Sequence, residues 1–209
     1  MDETAAAPAR KRPKPGERRV QILQALATML EQPGAERVTT AALAARLEVS
    51  EAALYRHFAS KAQMFEGLIE FIEHTVFALL NQIVPPGDSA PAASADTGVR
   101  QAGRVVAVLL QFAEKNPGMA RVMVGDALVF ENERLQQRMN QFFDRVESTL
   151  RQCLRAAAQS AGSDTPTMDA QVRAAVLTAF VMGRLQRFTR SGFRRVPSEH
   201  LEACVALML

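Results

Sequence analysis

The sequence predicts an all-α protein, and three observations carry that prediction. Apolar residues recur at three- and four-residue spacing in one segment after another. No run shows the apolar/polar alternation of a half-buried strand, and Pro-Gly or Pro-rich breaks separate the periodic segments. With 209 residues and 48% hydrophobic content, the chain can bury a substantial core and has the composition of neither a disordered nor a membrane-embedded protein. No run approaches the roughly 18 apolar residues of a spanning helix, and no apolar stretch follows the basic N-terminus. Neither a membrane span nor a secretory signal is expected, and the protein is placed in the cytoplasm.

The elements follow in order. Residues 1–16 form an Ala/Pro/Arg/Lys arm that has almost nothing to bury and is expected to be disordered. Arg10, Lys11, Arg12, Lys14, Arg18 and Arg19 outweigh Asp2, Glu3 and Glu17, which accounts for the whole net charge of +3. Two readings of the arm stand: a solubilising tail, or an arm that follows a phosphate backbone. Ile22, Leu26, Met29 and Leu30 mark a first amphipathic helix over 17–31, stopped by Pro33-Gly34. Thr39-Thr40 offer N-caps for a short helix over 41–47, and Ser50 caps another over 51–57. Ser60, with Gln63 three residues on, starts a long fourth helix to about Ile83 along the stripe Phe65, Leu68, Ile72, Val76, Leu79, Ile83. The composition of 85–98 predicts a loop, followed by a helix over 99–115 that Asn116-Pro117-Gly118 closes. Helical stretches are then predicted over 119–130, 131–158, 168–191 and 198–209, some nine helices in all.

The informative segment is residues 39–61. Two helices of about seven residues joined by Glu48-Val49-Ser50 can hardly stand alone, so they must pack on each other and on the first helix. Leu43, Leu47, Val49, Leu54 and Phe58 serve that packing, and Ala44 allows close approach. This is helix-turn-helix geometry, whose second helix offers its N-terminal residues to the DNA major groove. Ser50, Glu51, Ala52, Ala53 and Arg56 belong to that helix, and the small Ala52 and Ala53 admit base edges closely. Thr39 and Thr40 at a helix N-terminus, Tyr55 and His57 on the recognition helix, and Lys61 just beyond it are the expected phosphate contacts. The stretch from Val20 to Lys61 carries four basic and four acidic residues, so the head is not a basic patch.

Residues 39–65, TTAALAARLEVSEAALYRHFASKAQMF, resemble the signature of the TetR family of all-helical homodimeric regulators. More narrowly, SEAALYRHF and SK, then LIEFIE, NPG and ALVFENERLQQRMNQFF, are similar to the nucleoid-occlusion branch of that family. The resemblance covers nearly the whole chain beyond the arm. It implies a TetR-like fold: a three-helix DNA-binding domain over 17–61 on a helical dimerisation and partner-binding body over 62–209. It also implies a homodimer on double-stranded DNA at pseudo-palindromic sites, associated with the nucleoid. When DNA-bound, such a protein engages the C-terminal tail of the tubulin-like division protein FtsZ and inhibits assembly of the division ring over the chromosome. The turn residue that is usually glycine in the family is Glu48, so strain is expected there.

The resemblance further assigns Phe71, Val108, Lys115 and Asn116 to a groove for that tail between the fourth and fifth helices. On a helical wheel Phe71 falls about 100° and Phe77 about 140° from the core stripe. Burying a phenylalanine is worth about 1.5–3 kcal/mol, so each should have a partner: the fifth helix, a second subunit or a peptide. Ordinary packing between the two helices accounts for Phe71 equally well and for Val108 better. Val172, Val176, Ala179, Phe180 and Gly183 form a small-residue face suited to a four-helix dimer interface. The alternative function is a ligand-responsive TetR-type repressor, although few polar groups converge to orient a ligand. No enzyme motif is present, and no cofactor is expected. His57, His74 and His200 lack ligand spacing, so no metal is expected, and Cys153 and Cys204 read as buried thiols.

Overall fold

The helix stops and caps in the sequence produce nine α-helices among the described residues, which in this computed structural model are 16–32, 38–85 and 95–209. The basic arm up to Pro15, the Pro33-Gly34 stop and most of the 85–98 loop lie outside them. Helices α1 (Glu17–Leu30), α2 (Thr40–Arg46) and α3 (Glu51–Tyr55) form the head. Thr39 Oγ1 accepts from Ala42 N at 3.1 Å and Ser50 Oγ from Ala53 N at 3.3 Å, so both short helices begin on a hydroxyl cap. Ile22, Leu26, Leu43, Ala44, Leu54 and Phe58 are buried between them. The third helix is shorter than the sequence suggests. It ends at Tyr55, because Leu54 O accepts from both His57 N and Phe58 N as the chain tightens to bury Phe58. Arg56 and His57 therefore leave the helix rather than project from it.

Helix α4 (Lys61–Ile83) carries the chain from head to body. Ser60 Oγ accepts from Gln63 N at 3.2 Å, and Gln63 Oε1 reaches back to Ala59 N, a variant of the reciprocal capping box. Its buried stripe runs through Phe65, Leu68, Ile72, Val76, Leu80 and Ile83. Leu79 was expected in that stripe and is not there. Four residues on from Val76 is Leu80, and Leu79 turns out to the surface at 39% exposure.

The body is built from α5 (Ala95–Lys115), α6 (Pro117–Met123), α7 (Glu133–Ser160), α8 (Pro166–Arg190) and α9 (Leu201–Met208). Helix α5 starts four residues before the expected Val99, so 95–98 are helix rather than loop. Gly98 looked like a turn residue but is a packing residue. A Cβ there would lie 2.5 Å from Cys153 O and 2.9 Å from Ala157 Cβ on α7. The expected helix over 119–130 breaks at Gly125 (φ 84) and continues only as a single 3-10 turn, Asp126–Leu128. Asn132 then caps α7 through Arg134 N at 3.0 Å, which leaves Glu131 in the turn before it. Asp169 near the start of α8 accepts from Ser163 Oγ and Thr165 Oγ1, and these bonds hold its carboxyl below the usual range. His200 (φ 55) delays α9 to Leu201. Burial pushes the Cys153 thiol up to about 11, whereas Cys204 is only partly covered, with Arg184 Nη2 at 3.0 Å.

Head and body meet where α1 crosses α6. A Cβ on Gly118 would lie 2.0 Å from Ala27 O and 3.3 Å from Leu30 Cβ, so only glycine lets the two backbones close. Gly118→Ala is expected to cost about 1–3 kcal/mol through overpacking, lowering the thermal midpoint by about 2–4 °C per kcal/mol. Differential scanning calorimetry checks this, and an unchanged midpoint would mean that the seam is looser than described.

Candidate nucleic-acid interface

The order of caps places the expected DNA-contacting residues at the starts of α2, α3 and α4 and around the end of α3. Thr39 caps α2, Thr40 is its first residue, Ser50 caps α3, and Glu51, Ala52 and Ala53 form the first turn of α3. Of these, Thr39, Ser50, Glu51 and Ala52 are exposed, while Thr40 and Ala53 are half-buried. Thr40 Oγ1 donates to Glu51 Oε2 at 2.6 Å, which ties the start of α2 to the start of α3. Tyr55 stands out at 46% exposure, and Arg56 and His57 are exposed just beyond the helix end. Lys61 opens α4, lies 5.7 Å from the centre of the Phe65 ring, and meets Glu131 at 2.5 Å.

The turn that spaces α2 from α3 holds Glu48 in the left-handed region at φ 54. Glu48 N and Val49 N donate to Ala45 O and Ala44 O at 3.1 and 3.0 Å, so the conformation is fixed by hydrogen bonds despite its steric strain. Arg19 is a further residue of this site that pattern reading passed over. Its Nη1 donates to His57 O at 3.0 Å, and its guanidinium lies 4.1 Å from the centre of the Phe58 ring. It thus holds the end of α3 against α1. The separation of 38 residues leaves no local signal that could have paired them.

The four residues expected to form a partner groove differ in setting. Phe71 is 46% exposed on α4, and Leu79, two turns further on the same face, joins it at the surface. Lys115 is exposed, and Val108 is partly buried against the core. Asn116 Nδ2 donates to Phe112 O at 2.8 Å, so the amide already serves the end of α5. Phe77 finds its partners on α7 instead: its ring meets Phe142 edge-on at 5.4 Å, and Arg145 lies 3.8 Å over it.

A hydroxyl-capped helix pair of this kind, set on an all-helical body, defines a helix-turn-helix DNA-binding protein of TetR architecture. The comparisons agree. The family model for bacterial regulatory proteins of the tetR family matches residues 22–68, and the SlmA-like model of tetracyclin repressor-like C-terminal domains matches residues 96–209. The nucleoid occlusion factor SlmA of Vibrio vulnificus (strain YJ016) is 49% identical over 93% of this chain and 95% of its own. The SlmA of Vibrio cholerae is 48% identical over 91% and 93%, and that of Idiomarina loihiensis 46% identical over 89% and 90%. Among solved structures, a TetR-like regulator from Rhodococcus sp. RHA1 has a TM-score of 0.69 at 19% identity, covering 93% of this chain and 97% of its own. The regulator FadR from Bacillus subtilis in complex with stearoyl-CoA has 0.67 at 14% identity, covering 90% and 96%. These last two share the fold. The chain belongs to the TetR family and, within it, to the SlmA nucleoid occlusion factors. Both matching families are of DNA-binding regulators rather than enzymes.

Glu48→Gly is expected to stabilise the head by about 0.5–1 kcal/mol, because relief of the left-handed strain exceeds the added backbone entropy of glycine. Urea denaturation reads the change as a higher midpoint. A lower midpoint would show that the Glu48 side chain contributes more than its backbone strain costs.

Proposed function

We propose that this protein is a cytoplasmic, nucleoid-associated nucleoid occlusion factor. It binds chromosomal double-stranded DNA as a homodimer and, when bound, inhibits FtsZ ring assembly by engaging the FtsZ C-terminal tail. Residues 17–61 are the DNA-binding domain and 62–209 the dimerisation and partner-binding domain, with the arm over 1–16 outside both. In the head, Ser50, Glu51, Ala52 and Ala53 face base edges, and Thr39, Thr40, Tyr55, Arg56, His57 and Lys61 contact the backbone. Base contacts supply specificity, while phosphate contacts fix register.

Dimerisation is supported by the apolar surface of the last two helices. Met168, Val172, Val176 and Met182 are exposed along α8, and a Cβ on Gly183 would meet nothing within 4 Å. Helix α9 has no buried residue, and Leu207 is 88% exposed. Two chains pairing α8 and α9 about a two-fold axis bury these residues and present two heads to a pseudo-palindromic site.

The observation that carries the partner half is Phe71. It is a large aromatic left at the surface of the helix that begins in the head, with Leu79 exposed two turns further along and Lys115 at the end of the neighbouring α5. Phe71, Val108, Lys115 and Asn116 are the proposed contacts of the tail, and Leu79 extends the apolar strip. Ligand-responsive repression has less support. A groove of about 870 Å³ between α5 and α9 opens to solvent, whereas a small-molecule site encloses most of its ligand.

Fluorescence anisotropy of a labelled FtsZ C-terminal peptide tests the partner half. Saturable binding is expected, weakened at least about tenfold by Phe71→Ala, in keeping with loss of an aromatic anchor. The melting curve should change little, because the side chain is half in water. Absence of saturable binding by the wild-type protein would leave a TetR-type DNA binder and return attention to a small-molecule ligand.

A further inference from the structure

A series of ion pairs clamps α4 onto the start of α7. Glu66 pairs with Arg134, and Glu73 with Arg138 at 2.7 Å, with Glu70 3.8 Å from Arg138. In each of these, α4 supplies the acid and α7 the base. At the head end the polarity reverses: α4 supplies the cation, Lys61, and the turn before α7 supplies the acid, Glu131. The reversal puts the cation where DNA is proposed to lie. It also puts a carboxylate directly behind a phosphate-binding lysine.

The two partners differ in access. The Lys61 side chain is 30% exposed and the Glu131 side chain only 10%. The Lys61 side chain is thus the more open of the two to a phosphate arriving from solvent, while the Glu131 side chain has little room to swing away. Its backbone is held too, since Glu131 N donates to Leu128 O at 3.0 Å. We propose that Glu131 is an intramolecular decoy for the DNA backbone. It occupies Lys61 in the free protein, and a phosphate must take Lys61 from it.

Two consequences follow, both resting on the reading that Lys61 contacts phosphate. The decoy lowers affinity for DNA of any sequence, because the local gain of phosphate neutralisation is offset by an unpaired carboxylate nearby. Base contacts must then supply a larger share of binding, which widens the margin between specific and arbitrary sites. In addition, DNA binding unloads the turn before α7, where Val129 and Phe130 are exposed. The pairs of Glu66 and Glu73 keep α7 in place, so the loosening is confined to residues 129–132.

The test is anisotropy of a fluorescein-labelled DNA duplex of arbitrary sequence across a salt series, with wild type, Lys61→Ala and Glu131→Gln. Lys61→Ala should weaken binding and flatten the plot of log affinity against log salt, this change and the steepening in Glu131→Gln together amounting to about 0.9 per protomer. Glu131→Gln should tighten binding about threefold or more at low salt and steepen the slope by up to about 0.9 per protomer. Wild-type or weaker affinity in Glu131→Gln overturns the decoy and makes Glu131 a support for Lys61. Unchanged binding in Lys61→Ala overturns instead the phosphate contact on which the proposal rests. Amide hydrogen exchange on the wild-type protein gives an answer that needs no variant. Faster exchange at 129–132 with the duplex bound is expected, and slower or unchanged exchange overturns the proposal.

Discussion

Helix α4 cannot serve the head without also serving the body. Its 23 residues start beside the recognition helix and end in the core, a span of about 35 Å. Met64, Phe65, Leu68, Ile69, Ile72, Val76 and Leu80 are buried along its length, so the helix has little freedom to bend or roll. The Gly118–Ala27 backbone contact adds a second fixed point through α1. Together they make the orientation of the head a property of body packing. With so much of α4 packed in the core, a shift of the head is expected to be passed to the body through packed contacts rather than absorbed by a loop.

The faces of α4 divide the work. One face is core, and one carries Glu66, Glu70 and Glu73 towards Arg134 and Arg138, where hydrogen bonding to Glu73 holds the Arg138 guanidinium in its charged form. A third face holds Phe71 and Leu79 in water. Exposed ion pairs contribute little to stability one by one, and their value here is register, because each pair fixes α7 at one height along α4. Phe71 lies outside both the core and these ion pairs, which is why the proposed tail site is centred on it.

Most of this architecture was legible in the sequence because it rests on local signals. Ser50 and Ser60 cap the helices they were expected to cap, and Glu48 adopts the positive φ that the turn demands. Failures came where long-range packing overrode a local sign. Gly98 looked like a loop residue but is helical, because α7 needs its missing side chain. Leu79 fits the periodicity within one residue, and only the packing decides that Leu80 is the buried one. Arg19 with His57, and Lys61 with Glu131, are joined across 38 and 70 positions, and no spacing rule connects them. The last turn of α3 is shorter than its pattern predicts because burial of Phe58 pulls Arg56 and His57 out of the helix.

One helix joins the DNA-binding head to the surface proposed to bind the partner, and the two binding events are expected to be linked. The most direct measurement is the affinity of the labelled FtsZ C-terminal peptide for this protein with and without saturating specific DNA. Tighter peptide binding is expected in the presence of DNA, and the same factor when DNA affinity is measured with and without peptide. Equal peptide affinities in the two states would contradict it. The head and the surface around Phe71 would then be two independent sites on one chain.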